Sequence, residues 1–201
     1  MALLDVQVAM LANMGSNYLN SGKAPKRWGN AHPNIVPYQT FACSDGYIIV
    51  ATGNDGQYQK FVEAGGRGDL AFDPRYATNP LRVKNRDELV PLLAAMVLTQ
   101  SRDFWIETLE AVGVPCGPIN DLDDVYKNPQ VLARGLVMEV PHPTAGKVKL
   151  VRSPMRMSAA PADDAATLPP PLLGQHTDEV LRDLLGHSPE HIATLRTKGV
   201  L

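Results

Sequence analysis

Cysteine is almost absent, with only Cys43 and Cys116 in 201 residues. Two cysteines in a chain of this length make no disulfide framework, and no His or Cys stands at metal-ligand spacing from either. That excludes a stapled secreted scaffold and a zinc module, and a reducing compartment, the cytoplasm by default, is the expectation. Charge of one sign is lacking too: the formal net charge is -2, and Lys and Arg are scattered without a basic run. Nothing in that distribution draws the chain to nucleic acid or to an anionic membrane surface. Long hydrophobic runs are missing. The apolar start, MALLDVQVAMLANMG, carries Asp5 and has neither a basic leader nor a small-residue cleavage site. It reads neither as a signal peptide nor as a membrane span. What is present is the balance of a soluble globular chain, 44% hydrophobic and 20% charged residues. The length suits one good-sized domain, or one domain and part of another.

Periodicity divides the chain into a helix and linker, a mixed α/β module and a tail. Leu3, Leu4, Val8, Leu11 and Met14 recur at helical spacing, which predicts a helix over 2–20. No Ser, Thr, Asp or Asn precedes it as a cap, which fits either a short natural N-terminus or a helix that continues from something upstream. Residues 21–39, SGKAPKRWGNAHPNIVPYQ, are rich in proline and have no period, so they read as a linker or long ordered loop. Short β-forming runs at 40–43 and 47–51 flank Ser44-Asp45-Gly46, a hairpin signal. A helix is predicted over 55–64, with Tyr58, Phe61 and Val62 inward, Asp55 as its cap and Gly65-Gly66 as its stop. The longest helix is predicted over 79–99, capped by Asn79, with Pro80 in the first turn and a bend or new start at Pro91. Ser101 caps another through Val112, which Gly113 ends.

The segment VPCGPI, 114–119, holds too much Pro and Gly for a helix or a central strand. Short helices at about 121–126 and 129–133 and strands at 136–140 and 147–151 follow. Residues 158–171 form a low-complexity connector. Thr177 is expected to cap a helical pair, and Ser188-Pro189 to open the last helix. The tail has too little apolar surface to fold by itself.

Taken singly, the polar residues offer no complete catalytic set. His32-Pro33-Asn34 and Tyr38-Gln39 lie in an irregular loop of the kind that presents backbone amides and a hydroxyl to a ligand, yet composition alone favours an ordered linker. Gly53-Asn54-Asp55-Gly56 lies between a strand and a helix but is no phosphate-cradling loop. The acidic pairs Asp123-Asp124, Asp163-Asp164 and Asp178-Glu179 read as solvated faces. Cys116 has no neighbouring His, and His142, His176, His187 and His191 form no cluster in sequence.

Three stretches nonetheless resemble one family in order and spacing. They are ALLDVQVAMLAN with NYLNSGKAPKRWGNAHPNIVPYQTFACSDGYIIVATGNDGQY, then GVPCGPIND, then LLGQHTDEVL. Each is similar to a segment of the family III CoA-transferases, the group that includes formyl-CoA and carnitine-CoA transferases and α-methylacyl-CoA racemases. The resemblance runs over essentially the whole chain, and members are about twice as long.

The resemblance implies an α/β fold: a small α+β domain plus the C-terminal segment of a Rossmann-like large domain, in a family of interlocked-ring dimers. It implies residues 1–30 as helix and linker from the large domain, 31–135 as the small domain, and 136–201 as the segment returning to the large domain. It implies a transferase that moves CoA between carboxylic acids through an enzyme-bound aspartyl anhydride and thioester. The nucleophilic Asp is expected upstream, in a half this chain does not carry, so no catalytic residue is assigned here and the chain by itself is expected to be inactive. Asn34, Ile35, Val36, Pro37, Tyr38 and Gln39 match a loop that covers that Asp. In several relatives the loop is glycine-rich; here Ile35, Val36 and Pro37 make it stiffer, which puts glycine-loop gating in doubt. Asn54 and Asp55 match the place where racemase-like members carry an acidic residue near the reacting centre, and are expected to support the site. Acyl-CoA and a carboxylic acid are the implied substrates, with no permanent cofactor and no metal. A homodimer, or pairing with an N-terminal half, is the implied assembly. An acyl-CoA racemase and a non-catalytic acyl-CoA-binding or assembly fragment stay open as alternatives.

Overall fold

The protein is described by a computed structural model covering residues 1–155 and 168–201. Asp163-Asp164 and most of the proline- and alanine-rich 158–171 stretch lie outside the described residues. The chain forms two compact units, Met1–Ile119 and Asn120–Leu201.

The first unit opens with α1 (Leu3–Ala9) and α2 (Ala12–Ser21), where the periodicity predicts one helix. The break falls at Ala12, whose φ of 44° lies in the left-handed region that L side chains occupy at a cost of about 1–2 kcal/mol. Met10 closes α1 on Val6, and Leu11 bonds back to Val8 in a tighter turn. Ala2 precedes α1 without any side-chain cap. The apolar stripe of this pair, from Leu3 through Leu11 to Leu19, is exposed in the chain.

An antiparallel hairpin follows, β1 (Tyr38–Ala42) and β2 (Tyr47–Ala51), with Phe41 opposite Ile48. The strand starts two residues earlier than its sequence signal, so Tyr38 and Gln39 belong to it. The turn is tied down by Ser44 N–H on the Gln100 carbonyl (2.9 Å) and by Arg102 N–H on Asp45 Oδ1 (2.7 Å). β3 (Cys116–Pro118) pairs with the far side of β2 in the sheet order β1-β2-β3. Within the VPCGPI segment Cys116–Pro118 is thus an edge strand and not a central one, with Pro118 opposite Ile48 at its end.

Helices cover one face of this sheet: α3 (Asp55–Ala64), α4 (Gly68–Ala71), α5 (Asn79–Lys84), α6 (Arg86–Val97) and α7 (Arg102–Ala111). Phe41, Ile48 and Val50 from the strands meet Tyr58, Phe61, Val62, Leu89, Leu93 and Trp105 in one buried cluster. The Trp105 indole donates to the Val97 carbonyl at 2.7 Å, so its polar edge is satisfied inside the core.

Three expectations are corrected here. Asn54, not Asp55, caps α3: its backbone is extended and its side chain accepts from Gln57 N–H, whereas Asp55 is already helical. The residue ahead of α5 is Thr78, and Asn79 is its first helical residue. The long helix breaks at Asn85 rather than Pro91, which sits inside α6. Pro91 is exposed, so the hydrogen bond it cannot make faces water.

In the second unit Asp121 and Asn128 cap α8 (Leu122–Lys127) and α9 (Pro129–Ala133). A second hairpin pairs β4 (Val137–His142) with β5 (Gly146–Val151) and buries Met138 and Val140. α10 (Thr177–Glu179) runs on into a π-helical turn, Val180–Leu184. Thr177 is its first residue and not its cap, because its N–H is already bonded to the Gly174 carbonyl (3.2 Å) in a tight turn. Ser188 caps α11 (Pro189–Thr197) as its sequence predicts, accepting from His191 N–H, and Ile192 is buried.

Candidate functional site

The loop ahead of β1 is held by side chains that the sequence does not place near it. Asn79 grips it twice: its Oδ1 accepts from Val36 N–H (3.1 Å) and its Nδ2 donates to the Asn34 carbonyl (2.8 Å). Arg82, wholly buried, donates from Nε to the Val36 carbonyl at 2.7 Å and from Nη1 to the Tyr76 carbonyl at 3.0 Å. The Pro37 carbonyl accepts from the Thr52 amide (3.0 Å) and hydroxyl (2.9 Å). The backbone at Asn34, Val36 and Pro37 is thus fixed from α5 and from Thr52 just after β2, and the Val36-Pro37 peptide is cis.

Asp55 joins the same network. Its Oδ1 accepts from Arg82 Nη2 at 2.8 Å and from Asn79 N–H at 2.9 Å. The guanidinium also lies over the Tyr58 ring, 4.4 Å from its centroid. The expected loop and the expected acidic residue therefore meet on two shared residues, through the Arg82 side chain and through the side chain and backbone amide of Asn79. The carboxylate itself is half exposed, so it keeps a face toward solvent while the cation it pairs with does not. Asn54 is spent on capping α3.

Upstream, His32 stacks on Tyr38 with ring centroids 5.4 Å apart, and its amide donates to the Tyr38 carbonyl. Its Nδ1 accepts from Asn34 N–H at 3.1 Å, and its Nε2 lies 3.4 Å from Asn13 Nδ2. Asn34 Nδ2 reaches Asn17 Oδ1 (3.3 Å). Ile35 is half-buried, while Val36 and Pro37 are buried. Gln39 faces another way, into a cavity beside Trp28 and Arg86.

Asn79, Arg82, Thr52 and Arg86 escape a motif-based reading. One signal for the two arginines is present: Arg82 and Arg86 fall in helical phase with Leu89 and Leu93, so cations share the apolar stripe. Such cations need buried partners.

The remaining candidates stay apart from this network. Burial pushes the thiols of Cys43 and Cys116 above their ordinary value, the reverse of what a nucleophile needs. Asp123 pairs with Lys127, Asp178 with Arg196 and Glu179 with His176, all on exposed surface. Among the described residues no cluster of His, Cys, Asp and Glu is grouped to hold a metal ion, and no helix is long and apolar enough to cross a membrane.

Residues 1–177 match the family described as CoA-transferase family III. The chain is 42% identical over 199 residues to the human succinyl-CoA:glutarate CoA-transferase, covering 99% of this chain and 45% of that protein. It is 42% identical over 184 residues to the succinate--glutarate CoA-transferase of Agrobacterium fabrum, covering 92% of this chain and 46% of that one. Among solved structures, a CAIB/BAIF family protein from Brucella suis superposes with a TM-score of 0.71 at 45% identity, over 92% of this chain and 47% of its own. The chain spans about half the length of the curated relatives it matches.

Proposed function

This chain belongs to CoA-transferase family III, and from that premise we propose that it supplies the small domain and C-terminal segment of an enzyme moving CoA between carboxylic acids. Residues 1–30 then serve as helix and linker, 31–135 as the small domain and 136–201 as the returning segment. The names of the relatives point to dicarboxylic acids, so succinyl-CoA as donor and glutarate as acceptor are the first pair to assay.

In the proposed reaction an Asp from outside this chain attacks the thioester carbonyl, forming a mixed anhydride and releasing CoA thiolate. The thiolate attacks the aspartyl carbonyl of the anhydride and expels the donor acid, leaving an aspartyl-CoA thioester. The acceptor carboxylate attacks that thioester to form a second anhydride, and the released thiolate attacks its acyl carbonyl, giving the new acyl-CoA and restoring the Asp. The loop Asn34–Gln39 covers the reacting groups, and Asn54 and Asp55 support them from the start of α3. One observation carries the assignment of these positions: Val36 and Asp55, 19 residues apart in sequence, are held by the same buried guanidinium. Because Asn79, Arg82 and Thr52 already fix this loop, it serves as a rigid wall rather than a swinging flap.

The test is complementation. The chain is co-expressed with the N-terminal half of the Agrobacterium relative, and glutaryl-CoA formation from succinyl-CoA and glutarate is followed. Exchange is expected with both halves together and with neither alone. Turnover by this chain alone would refute the division of labour. Deuterium uptake at the α-carbon without an acceptor acid would instead mark a racemase.

A further inference from the structure

Arg86 uses only part of its guanidinium. Its Nη2 donates to the carbonyls of His32 (2.7 Å) and Pro33 (2.9 Å) and so anchors the start of the loop. Its Nε and Nη1 are sealed from solvent and have no acceptor among the described residues. Buried donors left unmade are costly, and a native protein seldom keeps two on one side chain without a use. The Trp28 ring lies over the guanidinium at 4.5 Å, which offsets part of the charge but gives those N–H groups no directed acceptor.

Beside them is a cavity of about 390 Å³, lined by Lys26, Arg27, Trp28, Gln39, Arg86 and Asp87. Three cations face one carboxylate there. Lys26 Nζ stands 4.9 Å from the Trp28 ring centroid, so the indole is in contact with two cations. Burial also pushes the Arg86 guanidinium below its ordinary value, with Asp87 opposing, as expected where a charge lacks compensation.

We propose that this cavity is an oxyanion-binding subsite that takes a phosphate or carboxylate group, with Arg86 as its buried donor, Lys26 and Arg27 as its rim and Trp28 as a movable cover. Trp28 stands in irregular chain beside Gly29, whose φ of 60° gives the backbone a free turn at that point. Rotation of the indole exposes Nε and Nη1 to the cavity. Gln39 offers an amide to the same anion. The subsite does not depend on the transferase reading, because the chain binds the anion whether or not an acyl group is ever exchanged.

The experiment uses the purified chain at low ionic strength, titrated with inorganic phosphate, glutarate, CoA and dephospho-CoA, and read by calorimetry and indole fluorescence. Trp105 is buried and satisfied in the core, so the emission change reports Trp28. Saturable binding that weakens as salt rises is expected. The double variant Lys26→Ala/Arg27→Ala should bind about tenfold more weakly, the effect of removing two screened surface charges, and Arg86→Met should abolish binding. Because Arg86 also anchors a loop, its variant can fail to fold; the exposed Lys26/Arg27 pair keeps the test decisive. CoA binding more tightly than dephospho-CoA identifies a phosphate ester as the source of the anion, and binding of glutarate alone identifies the acid; either supports the subsite. No saturable binding of any probe, or equal affinity in the double variant, overturns it.

Discussion

Arg82 Nη2 and Asp55 Oδ1 lie 2.8 Å apart, with the guanidinium wholly buried and the carboxylate side chain 48% exposed. The asymmetry decides what each partner contributes. The carboxylate keeps half of its hydration, but the cation has given up all of its own. Asp55 therefore acts chiefly as the counter-charge that lets Arg82 stay inside, and Arg82 uses that position to hold the Val36 carbonyl. Loop, helix start and carboxylate become one rigid unit.

Removing the carboxylate leaves the buried cation with only carbonyls and the Tyr58 ring. Asp55→Ala should cost about 2–3 kcal/mol, less than a fully buried pair loses because water reaches this carboxylate. Asp55→Asn keeps an acceptor at Oδ1 and should cost about 1 kcal/mol. Urea unfolding midpoints at unchanged slope measure both. Equal losses would show that the retained acceptor contributes nothing, and an unchanged midpoint in Asp55→Asn would show that charge at Asp55 is irrelevant to the fold.

Asn79 fixes the loop through a donor and an acceptor at once. Asn79→Ala frees the Val36 amide and the Asn34 carbonyl, and should cost about 1–2 kcal/mol. If the loop then opens locally rather than with the whole domain, the Val36 amide exchanges about tenfold faster for each 1.4 kcal/mol lost, while the Ile48 and Val50 amides keep their protection. Uniform acceleration would mean that Asn79 supports global stability instead.

Much of this unit is legible in the sequence. Tyr58, Phe61 and Val62 announce the inner face of α3, Ser101 and Gly113 frame α7, and Asp45-Gly46 marks the hairpin. What misleads is local ambiguity between adjacent residues with the same chemistry. Asn54 and Asp55 can both cap a helix, and only the extended backbone at Asn54, φ -152° and ψ 171°, decides between them. Once Asn54 caps, Asp55 is released to meet Arg82. That contact, and the grip of Asn79 on Asn34, join segments far apart in sequence, and no periodicity encodes them. Pro91 misleads for another reason: its effect depends on whether the lost hydrogen bond faces core or water, which composition does not tell.

Gly65 is needed for space rather than for conformation. Its φ of -85° suits any residue, yet a Cβ there would stand 2.8 Å from Met96 Cε and 2.9 Å from its Cγ, with the sulfur closer still. Gly65→Ala should cost about 1–3 kcal/mol through overpacking. Met96→Ala alone should cost about 2–5 kcal/mol, but much less on top of Gly65→Ala, because the added methyl occupies part of the vacated space. A double-mutant cycle should return a coupling of at least about 1 kcal/mol; additivity would place the methyl elsewhere.

Alkaline pH should weaken the fold in a defined window. Burial pushes the Tyr58 hydroxyl up from 10.0 to about 12, with the Arg82 charge opposing, and it donates to the Leu70 carbonyl at 3.1 Å. Burial also raises Cys43 and Cys116 above 9.0, aided by Asp45 and Glu110 respectively. Each raised value means that the folded chain holds a proton that the unfolded chain releases. Unfolding then sheds protons, and stability falls as pH rises. The loss begins near the thiol value of 9.0 and continues through the Tyr58 range to about 12. Each group adds a slope of up to about 1.4 kcal/mol per pH unit inside its own window. Tyr76, also buried and also raised, contributes to the same arm. Tyr58→Phe should cost about 1 kcal/mol at neutral pH, where the bond to Leu70 is lost. It should also flatten the fall above pH 10, so that the variant and the parent converge as pH rises. Denaturant midpoints measured in steps from pH 8 upward follow both curves. Parallel curves would show that Tyr58 ionises alike in the folded and unfolded chain, and that its burial carries no linkage.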